Sequence, residues 1–172
     1  MKKALIIHAW GSGPDEHWYR EEEQLLKEMG FEVAVPEMPG GTWPKKEEWL
    51  KIIKSFRPDK NTILIGHSLG VPAILRYLEI ALENVAKVFL IAGFAKDLGF
   101  EKTRNFVEGP FNWNVIKKNT KEIYVINETK DPYVPLELGK KIAKNTGGEF
   151  IEVEGNIHFD KMDLNLINSR LK

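Results

Sequence analysis

Six short apolar runs recur along the chain, each bounded by turn residues: Ala4 to His8, Val33 to Val35, Ile63 to His67, Val88 to Ala92, Ile123 to Asn127 and Phe150 to Val153. Most are continuous rather than alternating in polarity. A strand with one solvated face alternates with period two, whereas a strand covered on both faces is apolar throughout, so these runs read as a largely parallel sheet between layers of helix. The segments between them carry helical spacing. Trp18, Leu25 and Met29 share one face, Leu50, Ile53 and Phe56 or Arg57 follow Pro44, and Val71, Ile74, Leu75 and Leu78 mark a third stretch. Later helices are expected near Leu138 to Ile142 and Leu164 to Leu171. Alternation of strand and helix, with right-handed crossovers, predicts an α/β fold of three layers, α/β/α, with a mainly parallel sheet of about six strands. At 172 residues the chain suffices for one sizeable core and is short for two, so residues 1–172 are expected to form a single domain.

The rhythm breaks once. Between Phe94 and Asn119, Gly99, Gly109 and Pro110 interrupt a segment carrying Phe94, Phe100, Phe106, Phe111 and Trp113. Such an excursion after a strand is either a cap over a ligand site, since α/β folds bind ligands beyond strand C-termini, or a set of rings packed on the sheet edge.

Composition narrows the chemistry. With 25 basic and 25 acidic side chains and no long run of Lys or Arg, the chain lacks the electrostatic footprint of a nucleic-acid or anionic-membrane binder. It has no cysteine, so a catalytic nucleophile must be oxygen or nitrogen, and disulfides and thiolate metal sites are excluded. The opening MKKALIIHAW is too short in its apolar run for a signal-peptide core, and no segment reaches the roughly 18 apolar residues of a membrane span. A cytoplasmic location is therefore expected, with the Asn127-Glu128-Thr129 sequon unused.

Gly66-His67-Ser68-Leu69-Gly70 fits G-x-S-x-G, and ILIGH before it reads as a buried strand while VPAILRYL after it reads as a helix. A nucleophile elbow joins those two elements through a strained turn that exposes the serine hydroxyl, with glycines where a side chain would meet the neighbouring strand or helix. The helix start behind it directs N–H groups and partial positive charge toward any developing anion. The bland alternative is a serine in an ordinary βα turn.

A serine hydroxyl needs a base and an orienting acid. In the chain order serine, acid, histidine, only His158 of the four histidines follows Ser68; His8 and His17 precede it, and His67 is expected to point away. Asp131, just past the run ending at Asn127, is the first choice of acid, with Glu128 as its rival and Asp97 weaker; Asp160 and Asp163 lie too near His158 in sequence. The catalytic candidates are thus Ser68, Asp131 and His158. The loop HAWGSGPDEHW after the first run offers the backbone N–H of Trp10, which with that of Leu69 would form an oxyanion hole. Trp10, Phe94 and Trp113 are the candidate lining of a substrate pocket.

At these residues the chain resembles the small single-domain α/β-hydrolase family of YdeN-like and retinoblastoma-binding-protein-nine-like serine hydrolases. The resemblance runs through HAWGSGPDEHW, VAVPEMPGGTWP before a helix with Trp49, GHSLGVPAILRYL, DPYVP and the late His-Phe pair. It implies a reduced α/β-hydrolase fold, the triad above, no cofactor and no metal, and activity on small esters or a related acyl bond. The retinoblastoma-binding motif of one member contains cysteine and cannot exist here, so the protein partner is left open.

Two other classes compete. Gly11-Ser12-Gly13 after the first run hints at a nucleotide-binding domain, but Glu16 stands where the dinucleotide fingerprint needs its third glycine, and no G-x-x-x-x-G-K-[ST] occurs. A non-catalytic interaction protein on a hydrolase fold would use Phe94 to Trp113 as its surface. A metal site built from Asp15, Glu16 and His17 is weaker still, because adjacent residues do not share one face.

Overall fold

The computed structural model describes residues 1–171. Six parallel strands form one sheet: β1 Lys2–Ile7, β2 Phe31–Ala34, β3 Thr62–His67, β4 Val85–Ile91, β5 Thr120–Glu128 and β6 Glu149–Val153, in the order β2-β1-β3-β4-β5-β6. Every residue of β3 is buried, whereas the edge strands β2 and β6 keep exposed positions. Continuous apolar runs thus mark the strands that helices cover on both faces.

Alternate side chains divide the core. Leu5, Ile7, Leu64, Leu90 and Val125 face a layer containing α2 (Lys46–Ser55), α3 (Gly70–Leu78), α4 (Trp113–Lys118) and α5 (Leu136–Thr146). Ala4, Ile6, Ile63, Ile65, Phe89 and Ile126 face α1 (Tyr19–Glu28) and the short α6 (Asn165–Asn168). All nine residues of α3 are buried, because α2, α4 and a 3₁₀ segment at Glu101–Phe106 flank it above the sheet. Strand order reverses between β1 and β3, and the crevice beyond their C-terminal ends is where α/β sheets place ligands.

Two sequence expectations shift. The buried stripe of α1 is Tyr19, Glu22 and Leu26, with Trp18 buried just before the helix and Met29 exposed. Only Asn165–Asn168 of the stretch 164–171 is α-helical. Glu22 is wholly buried and accepts a hydrogen bond at 3.0 Å from Nδ2 of Asn168, the last residue of α6. A charged residue counts as surface in any hydrophobic pattern, so neither the stripe nor its partner is visible in the spacing.

Burial pushes the Glu22 carboxyl up to about 7; the bond from Asn168 opposes that rise and the nearby charge of Glu21 adds to it. The folded protein therefore holds a proton that the unfolded chain releases near 4.5. The contribution of Glu22 to stability is complete below that value and is lost as pH rises through about 7. Glu22→Gln is expected to flatten this dependence and to exceed the wild type at pH 8 by on the order of 2–3 kcal/mol, with a smaller gap at pH 5. Urea unfolding at the two pH values measures it, and an equal gap at both would show that Glu22 is ionised throughout.

Candidate active site

Between the end of β3 at His67 and the start of α3 at Gly70 the chain reverses in two residues. Ser68 takes a left-handed backbone, φ 53°, which costs a side-chain-bearing residue about 1–2 kcal/mol. Its N–H bonds the carbonyl of Ile91 at 2.9 Å and its carbonyl accepts the N–H of Val71 at 3.0 Å, so both peptide groups are fixed. Close packing explains the flanking glycines. A Cβ on Gly66 would lie 2.8 Å from the Gly70 carbonyl group and from Ile74 Cδ1, and one on Gly70 would collide with the carbonyl of Ile7.

His158 lies in the loop after β6. Its Nδ1 is 2.7 Å from Oδ2 of Asp131, whose side chain is shielded from solvent, while Oδ1 of Asp131 accepts the N–H groups of Tyr133 at 2.8 Å and Val134 at 2.9 Å. Burial alone would raise the Asp131 pKa; the bonds from His158 and from the Val134 and Tyr133 N–H groups outweigh it and hold the carboxyl below its usual range. Asp131 therefore stays ionised at neutral pH and holds a hydrogen on Nδ1 of His158, which leaves Nε2 as the acceptor nitrogen of the ring.

Glu128, the rival acid in the sequence, does not reach the imidazole. Its Oε2 accepts the N–H groups of Ile157 at 2.9 Å and His158 at 2.7 Å, and Gly155 lets the carboxylate this close, since a Cβ there would lie 2.5 Å from Oε1. The His158 carbonyl accepts from His67 Nε2 at 2.8 Å, and that of buried Phe159 accepts from Trp18 Nε1 at 3.0 Å. His158 and Phe159 both have left-handed backbones, φ 57° and 53°, held by these contacts.

Ser68 and His158 open onto one cavity of about 430 Å³. Among the described residues Ser68 Oγ makes no hydrogen bond to His158, whose Nδ1 is held by Asp131; serine–histidine bonds commonly tighten only around substrate. Phe94, Leu98 and Phe100 form an apolar wall, with Phe100 packed against the Trp10 ring at 5.8 Å. Trp10 and Leu69 also line the cavity, and among the described residues the N–H of neither has a protein partner. Trp113 does not belong here. It stacks on Phe111 at 5.3 Å and faces a separate cleft beside Leu138, because the chain turns away at Gly109 and Pro110 and places α4 over α5.

The remaining candidates disperse. Asp97 pairs with Arg104 at 2.8 Å on the surface, and Asp163 caps the start of α6 at Asn165 N–H. His8 is buried and accepts the N–H of Met38 at 2.9 Å. Asp15 pairs with Arg20 and His17 with Asp160, so residues 15–17 diverge rather than converge on a metal. His17 is the residue that sequence order hides. It lines the cavity, with Nδ1 2.8 Å from Asp160, a second imidazole and carboxylate pair whose members are 143 residues apart. The only signal was the cluster Glu16-His17-Trp18 close after β1.

Compared with known proteins, residues 4–163 match a family model described as serine hydrolase. The chain is 31% identical over 163 residues to YdeN of Bacillus subtilis (strain 168), covering 92% of this chain and 86% of YdeN. The crystal structure of the ydeN gene product superposes with a TM-score of 0.88 at 30% identity, over 92% of this chain and 88% of that chain. Serine hydrolase RBBP9 of Rattus norvegicus is 28% identical over 167 residues, covering 94% of this chain and 89% of RBBP9. Est1E from Butyrivibrio proteoclasticus shares the fold alone, with a TM-score of 0.74 at 15% identity over 99% of this chain and 85% of that chain.

Glu128→Ala is expected to leave two N–H groups of the 157–158 loop without their acceptor and to destabilise the protein by about 2–4 kcal/mol. Urea denaturation measures this, and a loss below about 0.5 kcal/mol would mean that water replaces the carboxylate at no cost.

Proposed function

The chain belongs to the serine hydrolase family and has a reduced α/β-hydrolase fold, and from that premise we propose that it cleaves small esters or related acyl bonds through Ser68, His158 and Asp131. The observation that carries this reading is the opening of a strained serine and a carboxylate-held imidazole onto one cavity. The apolar wall of Phe94, Leu98 and Phe100 suits the acyl or alcohol part of an uncharged ester. Trp10 lines the same cavity, which supports its backbone N–H as an oxyanion donor.

In this reading Ser68 Oγ attacks the acyl carbon as His158 Nε2 takes the hydroxyl proton, and Asp131 steadies the imidazolium that forms. The carbonyl π electrons move onto oxygen, and that oxyanion receives the N–H groups of Trp10 and Leu69 at the start of α3. Two such donors together are worth several kcal/mol of barrier. Collapse of the tetrahedral intermediate breaks the bond to the leaving alkoxide, which departs as the alcohol with the proton from Nε2. A water then loses its proton to Nε2 and attacks the acyl-enzyme. Collapse returns the proton to Ser68 and releases the acid. Asp131 acts through the tautomer it imposes, so an amide in its place disrupts the base while leaving the fold intact.

Labelling with a fluorophosphonate at neutral pH tests the assignment. The wild type is expected to label and Ser68→Ala and His158→Ala to lose labelling, while Asp131→Asn lowers kcat for p-nitrophenyl acetate about 10³–10⁴-fold. Undiminished labelling of Ser68→Ala would place the nucleophile elsewhere.

A further inference from the structure

Beneath the cavity runs a chain of hydrogen bonds that the proposed reaction does not itself consume. The N–H of Ala9 donates to the Tyr19 hydroxyl oxygen at 3.0 Å, that hydroxyl lies 2.7 Å from His67 Nδ1, and His67 Nε2 lies 2.8 Å from the carbonyl oxygen of His158. For a neutral imidazole, one set of proton positions satisfies all three. A carbonyl only accepts, so Nε2 carries the ring hydrogen; Nδ1 then accepts from the Tyr19 O–H, and the Tyr19 oxygen accepts from Ala9.

The groups are locked in that order. His67 is fully buried, and desolvation, with the neighbouring His158, pushes its pKa down to about 3, so the ring is neutral at neutral pH. Burial pushes the Tyr19 phenol up to about 12, which keeps its hydrogen in place. Trp18 and His17 pack edge-on against the Tyr19 ring at 4.9 and 5.4 Å and leave it little freedom to turn.

Both ends of the chain reach the chemistry. Ala9 immediately precedes Trp10, the proposed oxyanion donor, and the His158 carbonyl belongs to the proposed base. We propose that Tyr19 and His67 are positioning residues that tie the oxyanion loop to the catalytic histidine, so that the two halves of the site keep one geometry. This rests on the acyl-transfer reading above. His158 and the residue after it hold left-handed backbones that relax unless their peptide groups are restrained. Glu128 restrains the N–H of His158 and the strut restrains its carbonyl. A displacement of about 1 Å at a reacting group is enough to cost about 100-fold in rate.

The test compares wild type, Tyr19→Phe, His67→Gln and the double variant in kcat and KM for p-nitrophenyl acetate, with the rate of fluorophosphonate labelling as a second readout. Tyr19→Phe keeps the ring and removes only the hydroxyl. The expected result is a kcat lower by about 10- to 100-fold with KM within about threefold, and a double variant no more than about threefold below the worse single one. An unchanged kcat, a loss carried by KM, or losses that multiply in the double variant would overturn the strut. Should the variants fail to fold, imidazole ¹⁵N NMR of the wild type decides. A neutral His67 with hydrogen on Nε2 from pH 5 to 8 supports the strut, and hydrogen on Nδ1 or a titrating ring refutes it. Ser68→Ala separates the two levels: if it retains full activity the acyl-transfer reading fails, whereas a Ser68-dependent wild type beside an unimpaired Tyr19→Phe defeats the strut alone.

Discussion

The left-handed backbone of Ser68 is the constraint around which the sheet order makes sense. A side-chain-bearing residue persists at φ 53° only when its surroundings leave no alternative. Here the neighbours of β3 supply that pressure from both sides. On one side β4 offers the Ile91 carbonyl to the Ser68 N–H, and on the other β1 brings the Ile7 carbonyl against Gly70 so closely that no side chain fits between them. The elbow is therefore a property of three adjacent strands. The same placement puts it at the reversal of strand order, where the loop after β1 is free to form the facing wall.

The histidine side follows the same physical logic with different materials. Residues 157–159 have no strand neighbours to hold them, so side chains from elsewhere in the fold take the peptide groups one by one: Glu128 from the end of β5, His67 from β3 and Trp18 from the start of α1. Glu128 and Asp131, three residues apart, divide the task. One carboxylate fixes the backbone of His158 and the other fixes its ring. A buried carboxylate receiving two N–H groups is sufficiently paired to remain there, and each bond to it is stronger than a bond between neutral groups.

That division shows where sequence reasoning reaches its limit. The six strands and the helix after Ser68 follow from local periodicity and turn chemistry, which act within a few residues and are written in the spacing; the candidate order serine, acid, histidine rests instead on the α/β-hydrolase pattern. Strand β5 is longer than the run from Ile123 to Asn127 because Thr120 to Glu122 pair with β4 without being apolar. Glu128 against Asp131 could not be decided locally, since the choice depends on a loop that returns from residues 155–158. Glu22 with Asn168 and His17 with Asp160 are pairings across nearly the whole chain, between residue types that a hydropathy pattern assigns to water. Trp113 failed for the converse reason. Trp113 opens α4, and apolar character alone gives its ring no direction: the turn at Gly109 and Pro110 decides which cleft it faces.

The aromatic segment after β4 divides: Phe94, Leu98 and Phe100 line the cavity, while residues 106–112 pack on α3. Arg76 of α3, almost wholly buried, donates to the carbonyls of Phe106, Glu108, Gly109 and Pro110 and lies 3.7 Å over the Phe111 ring. Four carbonyls on one guanidinium satisfy backbone groups that an irregular segment would otherwise leave to solvent. Glu79 completes the anchor by pairing with Arg76 and accepting the N–H of Asn112. Residues 106–112 are thereby fixed to α3, the helix that starts at the elbow. The stretch holding Phe94, Leu98 and Phe100 lines the cavity and is tied locally by Asp97, which accepts the Gly99 N–H and pairs with Arg104. The anchored half of the segment thus packs on the helix that follows the Ser68 turn, while the other half supplies cavity wall, so the two halves of one irregular stretch do different structural work.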